Sequence, residues 1–276
     1  MSVRAGFHGT VGQPTAQVIG GSLKFQDDNS AYLSRTPSSV GNRKTWTFSC
    51  WVKRSEIGSI YPALLSAGSA SGDTGFFQIT FESDEFSAFM RHSSGTNYYY
   101  TNAKLRDISS WYHLVVAMDT TQSAEADRLK MYINGVEPTY RNTSVPSQDQ
   151  TFLVNNTSLH QIGATKNIGG TTSLFLPGYL SNVYLIDGQA LNASYFGFTD
   201  PLTNTWKPKK YEGTFGTNGF YLPMDNQDDF EKDKSGNGNH FTKNNFSGTS
   251  IDPDVVKDSP SGAAFGGAPT SGITTT

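Results

Sequence analysis

Hydrophobic positions along this chain recur at every second residue in short runs, and turn-forming residues separate the runs. In WTFSCWVKRS, Trp46, Phe48 and Cys50 fall on one face of a strand and Thr47, Ser49 and Trp51 on the other, because successive side chains of an extended chain point to opposite sides. Leu23 with Phe25, then Tyr32 with Leu33, form two shorter runs around an Asp-Asp-Asn-Ser turn. GFFQITFESDEFSAFMR predicts a hairpin turning at Glu82 to Glu85. An aromatic strand follows in YYYTNAKLRD, and a buried one at Trp111 to Met118. DRLKMYINGVEPTY predicts another hairpin, because Asn134 and Gly135 both tolerate the positive φ of a type I′ turn. LHQIGAT, LFLPGYLSNVYLID and FGFTD supply the last runs of this region, and only QALNASYFG suggests a helical turn. About a dozen strands at short spacing, without 3.6-residue periodicity, predict an all-β fold of two antiparallel sheets packed as a sandwich.

The pattern also divides the chain. Residues 1–20 are Gly-rich and aperiodic and read as an N-terminal arm, residues 21–205 carry the sandwich, and residues 206–276 form a partly irregular C-terminal extension. Phe220, Tyr221 and Leu222 predict one strand in the extension, and Trp206 is placed to anchor it. From Pro253 the chain turns Ser-, Gly-, Ala- and Thr-rich, and is expected to lean on something else or to stay mobile.

Composition narrows the partners. Of 276 residues, 13% are aromatic and 16% charged, with 28 Gly, a balance suited to short strands and tight turns. A net charge of −3 gives no basic footprint for nucleic acid. No apolar run is long enough for membrane insertion. MSVRAGFHGTVGQPTAQVIGG has no apolar stretch of signal-peptide type, which predicts synthesis and assembly in a cytosol. Cys50 is the only cysteine, so neither an intrachain disulfide nor a cysteine-based zinc cluster is expected. The five Asn-x-Ser/Thr sites, at Asn142, Asn155, Asn156, Asn192 and Asn245, read as loop chemistry.

The candidate chemistry is sparse. Glu82-Ser83-Asp84-Glu85 comes nearest to a paired-carboxylate glycosidase strand, but its alternation is broken and it sits where a hairpin turns. Solvent-exposed turn acids, and no enzyme, are the expectation. Five scattered His and the lack of a Gly-x-Ser-x-Gly elbow offer no hydrolytic triad; His113 is expected to be structural. No cofactor is expected. The weak metal candidates are calcium sites at Asp27 and Asp28, and at Asp233 and Asn237, where Asp-x-Ser-x-Asn-Gly imitates the front of a calcium loop but Asn244 stands in place of its closing Glu. The segment from His92 to Tyr100 suits sugar recognition, in which rings stack on pyranose C–H faces and amides bond hydroxyls. Alternation is expected to put Tyr98 and Tyr100 in the core and Tyr99 outward; Asn97, Tyr99 and Asp73 are the candidate glycan-binding residues.

Several phrases resemble a known family. SLKFQDDNSAYL, WTFSCWVKRS, WYHLVVAMDTT with DRLKMYINGV, and FLPGYLSNVYLIDGQAL occur in the order found in laminin-G/concanavalin A-like jelly rolls. LSRTPSSVGNRKTWTFSCWVKRS, SSWYHLVVAMDTTQ, LIDGQALNASYFG and KKYEGTFGTNGFYL are similar to virion proteins of tailed bacteriophages, especially those of marine bacteria. That resemblance implies a structural or appendage protein of a virion (fibre, tail part or head decoration) assembled in the host cytoplasm. Its expected partners are other virion proteins and host surface polysaccharide, and it implies a homo-oligomer, most plausibly a trimer. The alternatives are a decoration or tail adaptor that binds no glycan and, behind it, a polysaccharide depolymerase.

Overall fold

The computed structural model describes residues 15–58, 61–68, 75–166, 170–249 and 251–262. Strands β1 (Ser22–Phe25) and β2 (Tyr32–Arg35) flank the Asp-Asp-Asn-Ser turn, and β3 (Thr45–Arg54) is the WTFSCWVKR run. Strands β4 (Ala63–Gly68), β5 (Gly75–Glu82), β6 (Glu85–His92) and β7 (Gly95–Lys104) follow, then β8 (Tyr112–Asp119) and β9 (Leu129–Ile133). Next come β10 (Tyr140–Ser144), β11 (Leu159–Ile162), the short pair β12 (Thr165–Lys166) and β13 (Thr172–Ser173), and β14 (Gly178–Asp187). Beyond them lie β15 (Gly197–Thr199), β16 (Trp206–Pro208), β17 (Phe220–Leu222), β18 (Thr242–Asn244) and β19 (Val255–Val256). The QALNASYFG segment does form a helical turn, a 3-10 turn at Ala193–Tyr195. Among the described residues no helix is long and apolar enough to cross a membrane.

Two large antiparallel sheets result, in the predicted all-β jelly-roll sandwich. The first runs β19-β1-β14-β3-β8-β9, with β17 also on β14; the second runs β10-β7-β6-β5-β4-β11-β2-β18. Between them, Trp46, Phe48 and Cys50 of β3, Leu114 and Val116 of β8, and Leu180 and Leu185 of β14 meet Phe77, Ile79 and Phe81 of β5 and Ala88 and Met90 of β6, none more than 1% exposed. The Asn134-Gly135 turn forms, with φ of 48° and 84°, and Ile133 bridges Val136. The predicted second arm does not follow it: the chain crosses to the second sheet, where β10 pairs with β7.

The outer face of the first sheet is also covered. Val115, Tyr184, Ile186, Leu191, Phe196, Tyr211 and Tyr221 form a second apolar cluster there, with Trp206 packed against it. A bulge in β14 makes both layers possible. Ser181 pairs with Trp51, but the next pair is Tyr184 with Ser49, so one extra residue resets the alternation. Val183 and Leu185 then point inward while Tyr184 and Ile186 point outward. Asn182 occupies the bulge at φ 47°, a conformation Asn tolerates, and its side chain bonds the Tyr221 hydroxyl at 2.8 Å and Gln17 at 2.9 Å. Tyr184 and Tyr221 stack with centroids 4.3 Å apart.

The segment beyond residue 205 is built into both sheets. β17 pairs with β14, β18 with β2 and β19 with β1, and Phe220, Leu222, Phe230 and Phe241 join the main core. Its low density of apolar residues hid this, because each strand contributes only two or three residues. The anchoring role read for Trp206 holds: its indole donates to His113 Nδ1 at 3.0 Å and lies where a Cβ on Gly135 or Gly197 would come within 2.3 or 2.5 Å. The two described ends also meet, the Ile19 amide donating to Ser261 Oγ at 2.7 Å and that hydroxyl donating to the Gln17 carbonyl at 3.0 Å.

Two outcomes follow from these contacts. A chain ending at residue 205 loses four pairing strands, β16 to β19, and five side chains of the main core, Phe220, Leu222, Met224, Phe230 and Phe241, so it is expected to show no cooperative urea transition, while the full chain shows one. Arg54, 1% exposed, donates to Asp84 at 2.9 Å and to the Leu105 carbonyl at 2.7 Å, with its guanidinium 4.6 Å from the Phe81 ring centre. Arg54→Met removes the buried donor to Asp84 and to the Leu105 carbonyl, leaving the carboxylate to the Gly58 amide and the exposed Arg106, and is expected to cost about 3 kcal/mol in urea unfolding.

Candidate functional site

The aromatic strand carries the expected residues with the opposite parity. Ala88 pairs with Tyr99 and Met90 with Asn97, and directly opposed residues share a face. Ala88 and Met90 are in the core, so Tyr99 and Asn97 are too, at 4% and 7% exposure. They are not surface ligands: Asn97 donates to the Val145 carbonyl and Tyr99 packs edge-on to Tyr140. Tyr98 and Tyr100 take the outer face instead, stacked 5.1 Å apart. Burial and then the Glu82 carboxylate, which accepts the Tyr100 hydroxyl, push that phenol up, and Arg141 lies 5.1 Å from its ring centre. Asp73 lies outside the described residues.

The acids of the hairpin turn are not exposed. Ser83 and Asp84 turn the chain at φ 50° and 71°, yet Asp84 and Glu85 are each 3% exposed. Burial alone would raise the Asp84 carboxyl; the Gly58 amide and the Arg106 and Arg54 guanidiniums outweigh it and hold the group at about 2. Lys104 and Arg141 bind Glu85 at 2.8 and 2.9 Å. The turn acids are buried because each gathers cations from neighbouring strands and loops, Arg54 and Arg106 on Asp84 and Lys104 and Arg141 on Glu85. Asp84, held as a carboxylate by these donors, is not placed to donate a proton at neutral pH.

Ser49 and His113 form a buried pair, Oγ to Nε2 at 2.9 Å, that superficially resembles a hydrolytic dyad. The indole N–H of Trp206 can only donate, so the Nδ1 it bonds is unprotonated and Nε2 carries the hydrogen. That tautomer donates to Ser49 and leaves no base for its hydroxyl. His160 is fixed in the same way: the Asn155 amide donates to its Nε2, and its Nδ1 donates to the Ser158 carbonyl.

The metal candidates separate. Asp233 spends its carboxylate on four donors, the Tyr221 amide, the Ser235 amide and hydroxyl and the Asn239 amide, at 2.8–2.9 Å. The Asn237 side chain donates to the carbonyls of Gly216 and Gly219. Donor hydrogens fill every direction a cation would need, so this loop does not fit calcium. Asp27 and Asp28 instead line a cleft of about 310 Å3 with Asn29, Ser55 and Tyr179. Strand pairing builds it. Lys24 opposes Tyr179 across β1 and β14, and Tyr179 opposes Lys53 across β14 and β3. Gly178 permits the approach, since a Cβ there would sit 2.5 Å from the Lys53 carbonyl. Both lysines are occupied, Lys24 by Asp252 at 2.5 Å and Lys53 by Asp258 at 2.7 Å. Among the described residues the Asp27 and Asp28 carboxylates and the Tyr179 hydroxyl have no partner. The cleft is thus electronegative, with one ring and two free acids. Among the described residues no three His, Cys, Asp or Glu side chains converge as metal ligands. Tyr179 and Ser55 were not legible as site residues, because only the β1–β14–β3 pairing brings them to Asp27.

The buried imidazoles set an acid limit. Burial pulls His113 down to about 3 and His160 to about 4, whereas unfolded His titrates near 6.5. Between those values the unfolded chain binds the extra proton, so stability is complete above about pH 6.5 and is lost as pH falls. Urea unfolding at pH 5.5 is expected to fall about 2–3 kcal/mol below its value at pH 7. Asp84 acts lower, its contribution being lost only as pH falls from about 4 through 2.

Residues 27–194, well over half the chain, match the family model described as the concanavalin A-like lectin/glucanases superfamily. A candidate carbohydrate binding protein of Bacteroides ovatus superposes with a TM-score of 0.52 at 16% identity, over 84% of this chain and 59% of that one. A heptameric SAP-like pentraxin of Limulus polyphemus gives 0.46 at 15% identity, over 64% and 80%. Domains LG4-5 of the mouse laminin alpha1 chain give 0.43 at 14% identity, over 67% and 46%. The comparison with curated proteins found no match.

Proposed function

This chain belongs to the concanavalin A-like lectin/glucanases superfamily, and on that premise we propose that it is a lectin-like module without catalytic activity that binds uncharged or amine-bearing glycans in the cleft of Asp27, Asp28 and Tyr179. The observation carrying this reading is the cleft's unspent chemistry. Elsewhere, acids such as Asp84 and Asp233 are saturated by donors; here two carboxylates and the Tyr179 side chain, ring and hydroxyl together, line an open cleft. Carboxylates accept from sugar hydroxyls and the ring offers a stacking face. Acidic sugars meet like charge, because the neighbouring lysines are already neutralised by Asp252 and Asp258. The carbohydrate-binding name of the Bacteroides protein is in keeping with the reading.

A glycan array holding neutral, amino and acidic oligosaccharides tests it. Binding is expected among the neutral and amino classes, with Tyr179→Ala weakening it about tenfold or more and the double change Asp27→Asn, Asp28→Asn abolishing preference over acidic glycans. Two acids on consecutive residues are few for a calcium ion that takes six to eight oxygens, so dialysis against EDTA is expected to leave the affinity unchanged. Release of reducing ends from a bound polysaccharide would overturn the non-enzymatic part.

The finer part of the proposal is a place on a tailed-bacteriophage particle, as fibre, tail part or head decoration assembled in the host cytoplasm as a homotrimer. The phrase-level resemblance at LSRTPSSVGNRKTWTFSCWVKRS and KKYEGTFGTNGFYL supports it. A second reading, contact with other virion proteins alone, draws on Leu202, 93% exposed between β15 and β16. Antibody labelling of intact particles, resolved by electron microscopy, decides between head and tail; absence from purified particles removes the virion assignment.

A further inference from the structure

A second cleft lies at the far end of the first sheet. It measures about 300 Å3 and opens where β8, β9 and the segment Ala190–Asn192 meet. Three features build it. Ala117 opposes Thr47 on one side and Lys130 on the other, so a single methyl stands where neighbouring positions carry larger groups. Thr47 pins the wall, donating to the Gln189 carbonyl at 2.7 Å and accepting from the Leu191 amide at 2.8 Å. Tyr132, the next outward residue of β9 after Lys130, supplies a half-buried ring beside the apolar floor of Ala117 and Leu191.

The rim is polar and ordered. Lys130 and Asp127 pair at 2.8 Å, a donor and an acceptor side by side, and the Lys130 ammonium keeps two hydrogens for a ligand. Asp119 is held by Thr45, Thr121 and Gln122. With Asp119 and Asp127 against Lys130, the formal charge of the rim is negative. An apolar floor, one ring face and paired donors and acceptors on rigid strands match a pyranose, and the charge disfavours an acidic one.

We propose that this cleft is a second binding site for neutral or amine-bearing sugar residues, and that the domain is therefore bivalent; the choice of sugars rests on the function proposed above. Geometry separates the two sites. Ser55, in the first cleft, follows the last residue of β3, whereas Asp119, in the second, opposes Thr45 at its first. Ten residues of extended chain hold them roughly 30 Å apart, too far for one or two sugar units to fill both. Two glycan chains, or two distant stretches of one, would be bridged.

Nitrogen-15 amide spectra of the full chain, titrated with D-galactose, D-mannose, N-acetyl-D-glucosamine and D-glucosamine, test this, with D-glucuronic acid as the acidic control. Shifts are expected at Ala117 and Leu191 as well as at Asp27 and Tyr179. Ala190→Trp, at an exposed position on the rim, fills the second cleft without touching the core; it is expected to remove the shifts at Ala117 and Leu191 and leave those at Tyr179. Tyr132→Ala is expected to weaken the second set about tenfold. Shifts at Tyr179 alone overturn the second site and leave the proposed function standing. Shifts at Ala117 alone overturn the first cleft and keep the second. No shift with any sugar removes both, and a stronger response to D-glucuronic acid overturns the charge argument.

Discussion

Strands β3 and β14 lie in the middle of the first sheet and are buried on both faces over Trp46–Val52 and Leu180–Asp187, and this double burial constrains the rest of the chain. On the inner side they meet the second sheet, as in any sandwich. On the outer side Thr47, Ser49, Tyr184 and Ile186 are equally inaccessible, and each polar group among them needs a partner once water is gone. Partners for the two hydroxyls of β3 come from β8 and from the chain after residue 188. Gln189 and Leu191 satisfy Thr47, His113 satisfies Ser49, and Trp206 satisfies His113 in turn. The outer layer is thus a continuation of the core's hydrogen-bond accounting, and the bulge at Asn182 lets one strand face two apolar layers.

The sandwich was legible because alternation is local: Trp46, Phe48 and Cys50 announce their shared face within five residues. What failed was nonlocal. Three consecutive tyrosines give no parity of their own, and the side chosen for Tyr99 was decided by its partners Ala88 and Met90 on the adjacent strand. A one-residue slip of this kind turns every side chain over, which moved the supposed sugar contacts into the core. Asp84 and Glu85 looked exposed because turns generally are, yet cations from β3, β7, the 105–106 loop and β10 converge on them. The extension looked independent because its pairing partners β1, β2 and β14 lie far away in sequence. Asp27 and Asp28 were singled out for oxygen chemistry, and they do keep their oxygens free; only the ring and hydroxyl beside them were invisible before the strands were paired.

Both clefts gain their character from charges that have been cancelled as much as from those that remain. Lys24 and Lys53 would have made the first cleft suitable for anions; Asp252 and Asp258, contributed by the chain's last described turns, remove that possibility. The extension therefore acts twice, closing the sheet edge through β19 and setting the sign of the field at Tyr179.

The meeting of Gln17 and Ile19 with Ser261 has an architectural consequence. The first and last described segments, at residues 17–19 and at 261, lie side by side, so both described ends of the domain sit at one place. Such a unit can be spliced into a loop of a larger protein as readily as joined to its end.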